Sequence, residues 1–166
     1  DSSLIPILGE TLSEYENVRI INEDVLKLDM NKIIEEEQSE SVKIVGNLPY
    51  YITTPIIMKL LEEEVKAESI PVMMQKEVAD RIKADPGSKA YGAISAAIQY
   101  YCTIEKIADV PKTVFVPQPK VDSVVLKFKI REKKAVEVQD KKLFFECIKA
   151  GFGQRRKTLL NSLQTV

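Results

Sequence analysis

The sequence has no histidine, and only two cysteines in 166 residues. Without histidine the commonest general base at neutral pH is missing. Any chemistry must run on carboxylates, amides, hydroxyls or positioning alone. Cys102 and Cys147 lie far apart, with no CxxC spacing. Together with the missing histidine this excludes the usual zinc ligand sets, and no metal is expected. Two isolated thiols fit a reducing, cytoplasmic compartment. No apolar run reaches ~18 residues, so no membrane-spanning helix is expected. No charged-then-apolar leader opens the chain, and no GxGxxG occurs in it. Neither sign of charge prevails, with 24 Lys and Arg against 25 Asp and Glu. Composition by itself therefore does not announce a nucleic-acid binder.

What is present is a foldable chain. Hydrophobic residues make up 45% and charged residues 30%, enough apolar side chain for a core and too little net charge for disorder. The charge is uneven. The stretch 32–40 is acidic, with Glu35, Glu36, Glu37 and Glu40 against Lys32. The stretch 141–157 is basic, with Lys141, Lys142, Lys149, Arg155, Arg156 and Lys157 against Glu146. That asymmetry hints at an anionic partner near the C-terminal end.

Periodicity gives the elements. Leu4, Leu8 and Leu12 predict a helix capped by Ser2 or Ser3. Residues 18–21 (Val-Arg-Ile-Ile) and 42–45 (Val-Lys-Ile-Val) predict strands, the second stopping at Gly46. Thr53-Thr54-Pro55 predicts a helix start with a threonine cap and proline in the first turn. Its core side would be Ile56, Ile57, Leu60 and Leu61. Residues 70–74 read as a strand, 77–84 as a helix closed by Asp85-Pro86-Gly87, 91–100 as a helix and 102–108 as a strand. Residues 123–130 alternate, with Val124, Leu126, Phe128 and Ile130 facing one way and Lys127 and Lys129 the other. A proline-punctuated irregular segment, 110–121, lies between these last two strands. Residues 143–163 read as helix with a break near Gly151 or Gly153. Strands alternating with helices predict an α/β fold with a mostly parallel sheet. A charged stretch at 131–139 marks a boundary.

Asn47-Leu48-Pro49-Tyr50 stands directly after a predicted buried strand, where open α/β sheets bind ligands. Its residue types suit methylation of an adenine amine. The N6 lone pair is delocalised into the ring and attacks poorly. The Asn47 side-chain oxygen and a main-chain carbonyl held by the fixed φ of Pro49 can accept hydrogen bonds from the two N6 hydrogens. The Tyr50 ring can stack on an extruded base. The rate gain then comes from alignment rather than from a strong base. Read without context, the same four residues also make a plain strand-to-loop turn.

Context adds a resemblance. Asn47-Leu48-Pro49-Tyr50-Tyr51-Ile52-Thr53-Thr54-Pro55-Ile56-Ile57 closely resembles the catalytic motif of ribosomal RNA adenine dimethyltransferases. Gln75-Lys76-Glu77-Val78-Ala79 and Pro86-Gly87-Ser88-Lys89-Ala90-Tyr91-Gly92 follow in the order of that family's middle motifs. Residues 114–124 (Val-Phe-Val-Pro-Gln-Pro-Lys-Val-Asp-Ser-Val) resemble its target loop, and 151–159 (Gly-Phe-Gly-Gln-Arg-Arg-Lys-Thr-Leu) the start of its C-terminal helical domain. The kasugamycin-sensitivity branch, which acts on the small subunit, is the nearer one; the macrolide-resistance branch is the alternative.

The resemblance implies S-adenosylmethionine as cofactor, small-subunit ribosomal RNA in the pre-ribosomal small subunit as partner, and ribosome biogenesis as context. It implies a partial Rossmann-like class I methyltransferase sheet over residues 1–134. The start of a small helical RNA-binding domain would cover 135–166. It implies that Asn47, Leu48, Pro49 and Tyr50 hold the target adenine, with Asn47 also beside the cofactor. Phe115 would pack on the flipped base and Asp24 would accept a hydrogen bond from the cofactor's adenine amine. Arg155, Arg156 and Lys157 would form a basic cluster toward RNA. Lys120 and Lys112 flank Phe115 and are candidates for backbone contacts. Read alone, Phe115 is equally a core residue, Asp24 a cap or turn, and the basic residues a solvated face.

The family's glycine-rich cofactor loop has no counterpart among these residues, so the chain is expected to lack the first two strands, to bind cofactor weakly and to be inactive by itself. The family's strand order, 3-2-1-4-5-7-6, would make 18–21 strand three and 42–45 strand four. Either the intervening segment, or a shift of 18–21 to the side of 42–45, or a second chain is then expected to fill the gap. A binding module that docks on pre-ribosomal RNA without catalysis is the alternative from another functional class.

Overall fold

The computed structural model describes residues 2–154, 157–164 and 166. Ser2–Leu4 is a 3-10 turn that leads into α1 (Ile5–Thr11). Helix α1 starts at Leu4 without a side-chain cap, so neither expected serine caps it. Leu4 and Leu8 remain exposed. Residues 18–21 form no strand. Val18, Ile20 and Ile21 are exposed, and among the described residues no strand lies beside them. β-propensity without a ladder partner leaves the backbone groups to water. Arg19 instead reaches Glu37 at 2.9 Å and Glu36 at 3.3 Å, at the end of α2 (Met30–Glu36). The shift of 18–21 to the side of 42–45 does not occur.

The sheet is built from β1 (Gly46–Asn47), β2 (Ser69–Gln75), β3 (Cys102–Val110) and β4 (Ser123–Ile130), in the order β1-β2-β4-β3. This is the 4-5-7-6 end of the expected order. The expected strand at 42–45 is displaced toward the motif. Lys43 makes a single bridge to Ser69, Val45 is exposed, and the ladder proper pairs Gly46 with Val72 and Asn47 with Met73. The sheet is mixed rather than mostly parallel: β1 and β2 run parallel, but β4 is antiparallel to both neighbours. The reason is the connection between β3 and β4. It contains no crossover α-helix, so β4 returns directly alongside β3 and inserts between it and β2, antiparallel to each.

Helices cover the sheet. Helix α3 (Thr53–Glu62) buries Ile56, Ile57, Leu60 and Leu61, the side that its spacing predicts. On β2 and β4 the alternation places Ile70, Val72 and Met74 beside Val124, Leu126 and Phe128 in one core. Full burial of each such side chain contributes about 1.5–3 kcal/mol. Helices α4 (Lys76–Lys83) and α5 (Ala93–Tyr101) are fastened to each other. The buried Ser95 hydroxyl donates to the Arg81 carbonyl at 2.6 Å, and the Gln99 amide donates to the carbonyls of Ile82 and Ala84. After the boundary stretch, α6 (Lys141–Gly153) starts at an Asp140 cap and is followed by α7 (Leu159–Leu163), with the break where the glycines predict it. Helix α6 shares the core: Phe144 and Phe145 pack on Tyr100 with ring centroids 5.1 and 5.4 Å away. No helix among the described residues is long and apolar enough to cross a membrane.

Candidate active site

The site grows from the end of β1. Gly46 admits the Leu48 side chain, which folds back until Cγ lies 3.1 Å from where a Cβ on residue 46 would sit. After Asn47 the chain turns sharply into α3. The Pro49 carbonyl fixes that turn, accepting from the Ile52 N–H at 3.1 Å and from the Thr53 hydroxyl at 3.0 Å. Thr53 is therefore not the cap the sequence suggests. Its hydroxyl points back at a carbonyl, and the N-cap is Ile52, which makes no side-chain cap. Asn47 is exposed at the strand end, and its amide makes no hydrogen bond to another described residue. Tyr50 is half-buried, and its phenol lies 2.7 Å from the Ser123 hydroxyl. Tyr51, beside it, is 85% exposed, so the two neighbouring rings face different surroundings.

The Tyr50–Ser123 contact brings two distant motifs together. Ser123 is the first residue of β4, and the loop carrying Phe115 ends there. Asp122 closes that loop at its base. Its carboxylate accepts the Lys112 N–H at 2.9 Å, and its carbonyl accepts the Lys76 N–H at 3.0 Å, which fixes the loop to the start of α4. Phe115 follows the short 3-10 turn Lys112–Val114. It is half-buried and pairs with no aromatic ring among the described residues. Lys112 and Lys120 are exposed on the same loop. The roles of Asp122 and Ser123 are missed by reading the sequence for reactive side chains. The available signal is an Asp-Ser pair at a strand start after a proline loop, since both types bond readily to nearby backbone.

The other predicted site residues lie elsewhere. Asp24 is exposed and makes a turn, with one carboxylate oxygen accepting the Leu26 N–H at 3.0 Å. Its other oxygen makes no hydrogen bond to a described residue. That turn is joined to α3 by Lys59, whose ammonium donates to the Leu28 carbonyl at 2.7 Å; no hydrogen bond links Asp24 to Asn47. Lys157 is exposed ahead of α7. Arg155 and Arg156 lie outside the described residues. Among the described residues no group of His, Cys, Asp or Glu could hold a metal ion.

A family model described as ribosomal RNA adenine dimethylase matches residues 1–166. The chain belongs to the ribosomal RNA adenine dimethylase family. Among relatives, the protein named ribosomal RNA small subunit methyltransferase A of Alkaliphilus oremlandii is 56% identical over 166 residues, covering 99% of this chain and 58% of that protein. The protein of the same name from Bacillus pumilus is 57% identical over 165 residues, covering 98% of this chain and 56% of that protein. The chain thus spans little more than half the length of these adenine dimethylase relatives. A solved dimethyladenosine transferase from Plasmodium falciparum superposes with a TM-score of 0.81 at 25% identity, over 99% of this chain and 57% of that one.

Proposed function

We propose that this chain carries the adenine-binding part of an enzyme that transfers methyl groups from S-adenosylmethionine to the N6 amine of adenines in small-subunit ribosomal RNA, in the cytoplasm during ribosome biogenesis. The names of relatives at 52–57% identity favour the small subunit over the large one. The observation that carries the reading is the free, exposed amide of Asn47 at the end of β1, next to a locked turn and a tethered tyrosine. Asn47 Oδ1 accepts one N6 hydrogen. The Pro49 carbonyl already holds two hydrogen bonds, so the second acceptor is the carbonyl of Leu48, aimed by the fixed φ of Pro49. Tyr50 stacks on one face of the extruded base, with Phe115 against it from the loop.

The cofactor supplies an activated methyl group. The residues that fit it serve its adenine end only: the free carboxylate oxygen of Asp24, in its turn, suits an amine donor, and Asn47 offers its amide at the end of β1. Lys120, Lys157, Arg155 and Arg156 contact RNA phosphates, the last three as part of a helical RNA-binding unit at 135–166.

Methyl transfer tests this reading in a chimaera in which the chain replaces the matching residues of the Alkaliphilus relative. Asn47→Ala should slow single-turnover methylation ~10²–10³-fold, the cost of one hydrogen-bonding group acting on the reacting centre, with RNA affinity unchanged. An undiminished single-turnover rate overturns the assignment.

A further inference from the structure

The Asn47–Tyr50 turn and the Phe115 loop belong to different strands, yet two neighbouring residues, Asp122 and Ser123, take hold of both. Ser123 has a fixed backbone. As the first residue of β4 it pairs with Gln75 of β2 on one side and with Val110 of β3 on the other, and it is 1% exposed. Asn47 of β1 pairs with Met73, earlier on β2. The Tyr50 side chain therefore passes over the end of β2 to reach β4. That is two strand steps across the sheet, or ~10 Å.

Tyr50 is held at both ends. Its main chain follows the turn that the Pro49 carbonyl locks through the Ile52 N–H and the Thr53 hydroxyl, and its phenol oxygen lies 2.7 Å from Ser123 Oγ. With the first restraint alone the ring would be free to move between side-chain rotamers; the bond at its far end fixes the ring axis. The neighbouring Asp122 fixes the loop. Its carboxylate accepts the Lys112 N–H at 2.9 Å, just ahead of Phe115, and its carbonyl accepts the Lys76 N–H. Both aromatic walls proposed for the adenine are thus referred to one point, the start of β4. We infer that Ser123 is a positioning residue for methyl transfer: through the Tyr50 phenol it sets the ring on which the extruded adenine stacks, and with it the place of N6. The inference rests on the proposed function for the identity of the base. Ser123 acts only through Tyr50. Misplacement of a reacting group by about 1 Å costs up to ~10²-fold in rate, so a loosened ring slows the chemical step while the phosphate contacts that hold the RNA persist.

The test uses the chimaera described above and single-turnover methylation at saturating RNA, where binding does not enter the rate. Ser123→Ala should slow the step about 10-fold. Tyr50→Phe keeps the ring and loses the same bond, so it should slow the step equally. The double variant should be no slower than either single one, because one bond is lost only once. Ser95→Ala removes another buried hydroxyl, the one bonded to the Arg81 carbonyl, and should leave the rate unchanged. Circular dichroism at the assay temperature should show the variants folded. An undiminished rate in folded Ser123→Ala overturns the positioning role, as does a second full loss when it is added to Tyr50→Phe; continued slowness of Asn47→Ala then leaves the methyltransferase reading intact. Equal slowing by Ser95→Ala would mark a general loss of stability and overturn it too. If Ser123→Ala does not fold, Tyr50→Phe decides alone, and its undiminished rate overturns the role. A folded, unmodified chimaera that transfers no methyl group overturns the reading and the inference together.

Discussion

The phenol of Tyr50 and the hydroxyl of Ser123 lie 2.7 Å apart across 73 residues of sequence. Ser123 is 1% exposed, so its oxygen has little access to water once the phenol is gone, whereas half-buried Tyr50 can be rehydrated. Tyr50→Phe should therefore destabilise the chain by about 1–3 kcal/mol and Ser123→Ala by somewhat less. A double-mutant cycle read by urea denaturation should give a coupling of about 1 kcal/mol. Strict additivity of the two single variants would show that the bond is not formed.

Cofactor affinity is predicted to be low. The residues proposed above for S-adenosylmethionine, Asp24 and Asn47, would serve only its adenine end, and the chain has no GxGxxG. Calorimetric titration of the 166-residue chain should give a dissociation constant well above the low micromolar range. A low-micromolar value would mean that other residues here complete the site.

Glu64 ties the boundary stretch to the core. One of its oxygens lies 3.1 Å from the Lys141 ammonium and 3.3 Å from that of Lys134. The hydrogen bond from Lys141, followed by that from Lys134, holds its pKa below the ordinary glutamate value of 4.5, against the opposing effect of burial. A depressed folded pKa means that the stabilisation is present above the unfolded value and fades as pH falls through the folded one. The glutamate is about half exposed, so solvent screening keeps the contribution under ~1 kcal/mol. Glu64→Gln should thus lower the denaturation midpoint at pH 7 and converge with the unmodified chain below the glutamate range. A constant difference from pH 7 down to pH 3 would rule out the ionic origin.

Cys102 should be inert in the folded chain. Burial pushes its thiol up to about 12, with Arg131 opposing weakly, and the sulfur donates to the Ile98 carbonyl at 3.2 Å. At pH 8 only about one thiol in 10⁴ is then ionised, and the thiolate is the reactive form. Mass spectrometry after brief iodoacetamide treatment should find Cys102 unmodified until denaturant is added. Rapid labelling of Cys102 in the native state would contradict its burial.

Local order in this chain is written in local sequence. The i, i+1, i+4, i+5 spacing of Ile56, Ile57, Leu60 and Leu61 determines the buried side of α3, and the alternation from Val124 to Ile130 determines which side of β4 meets the core. The Asn47 to Tyr50 motif is legible for the same reason, since four neighbouring residues and a strand before them define the turn. Tertiary structure decided everything that depends on a distant partner. Residues 18–21 have the composition of a strand, yet they form none, because a ladder needs a second strand beside it. The sheet is mixed because β4 slots between β2 and β3, a choice of pairing that no period-2 pattern records. Tyr50 meets Ser123, Asp122 closes the Phe115 loop onto α4, and Lys134 and Lys141 converge on Glu64 only because the sheet brings these segments together. Side-chain periodicity reports which face of an element is apolar; it carries no information about which other element that face, or its polar neighbours, will meet.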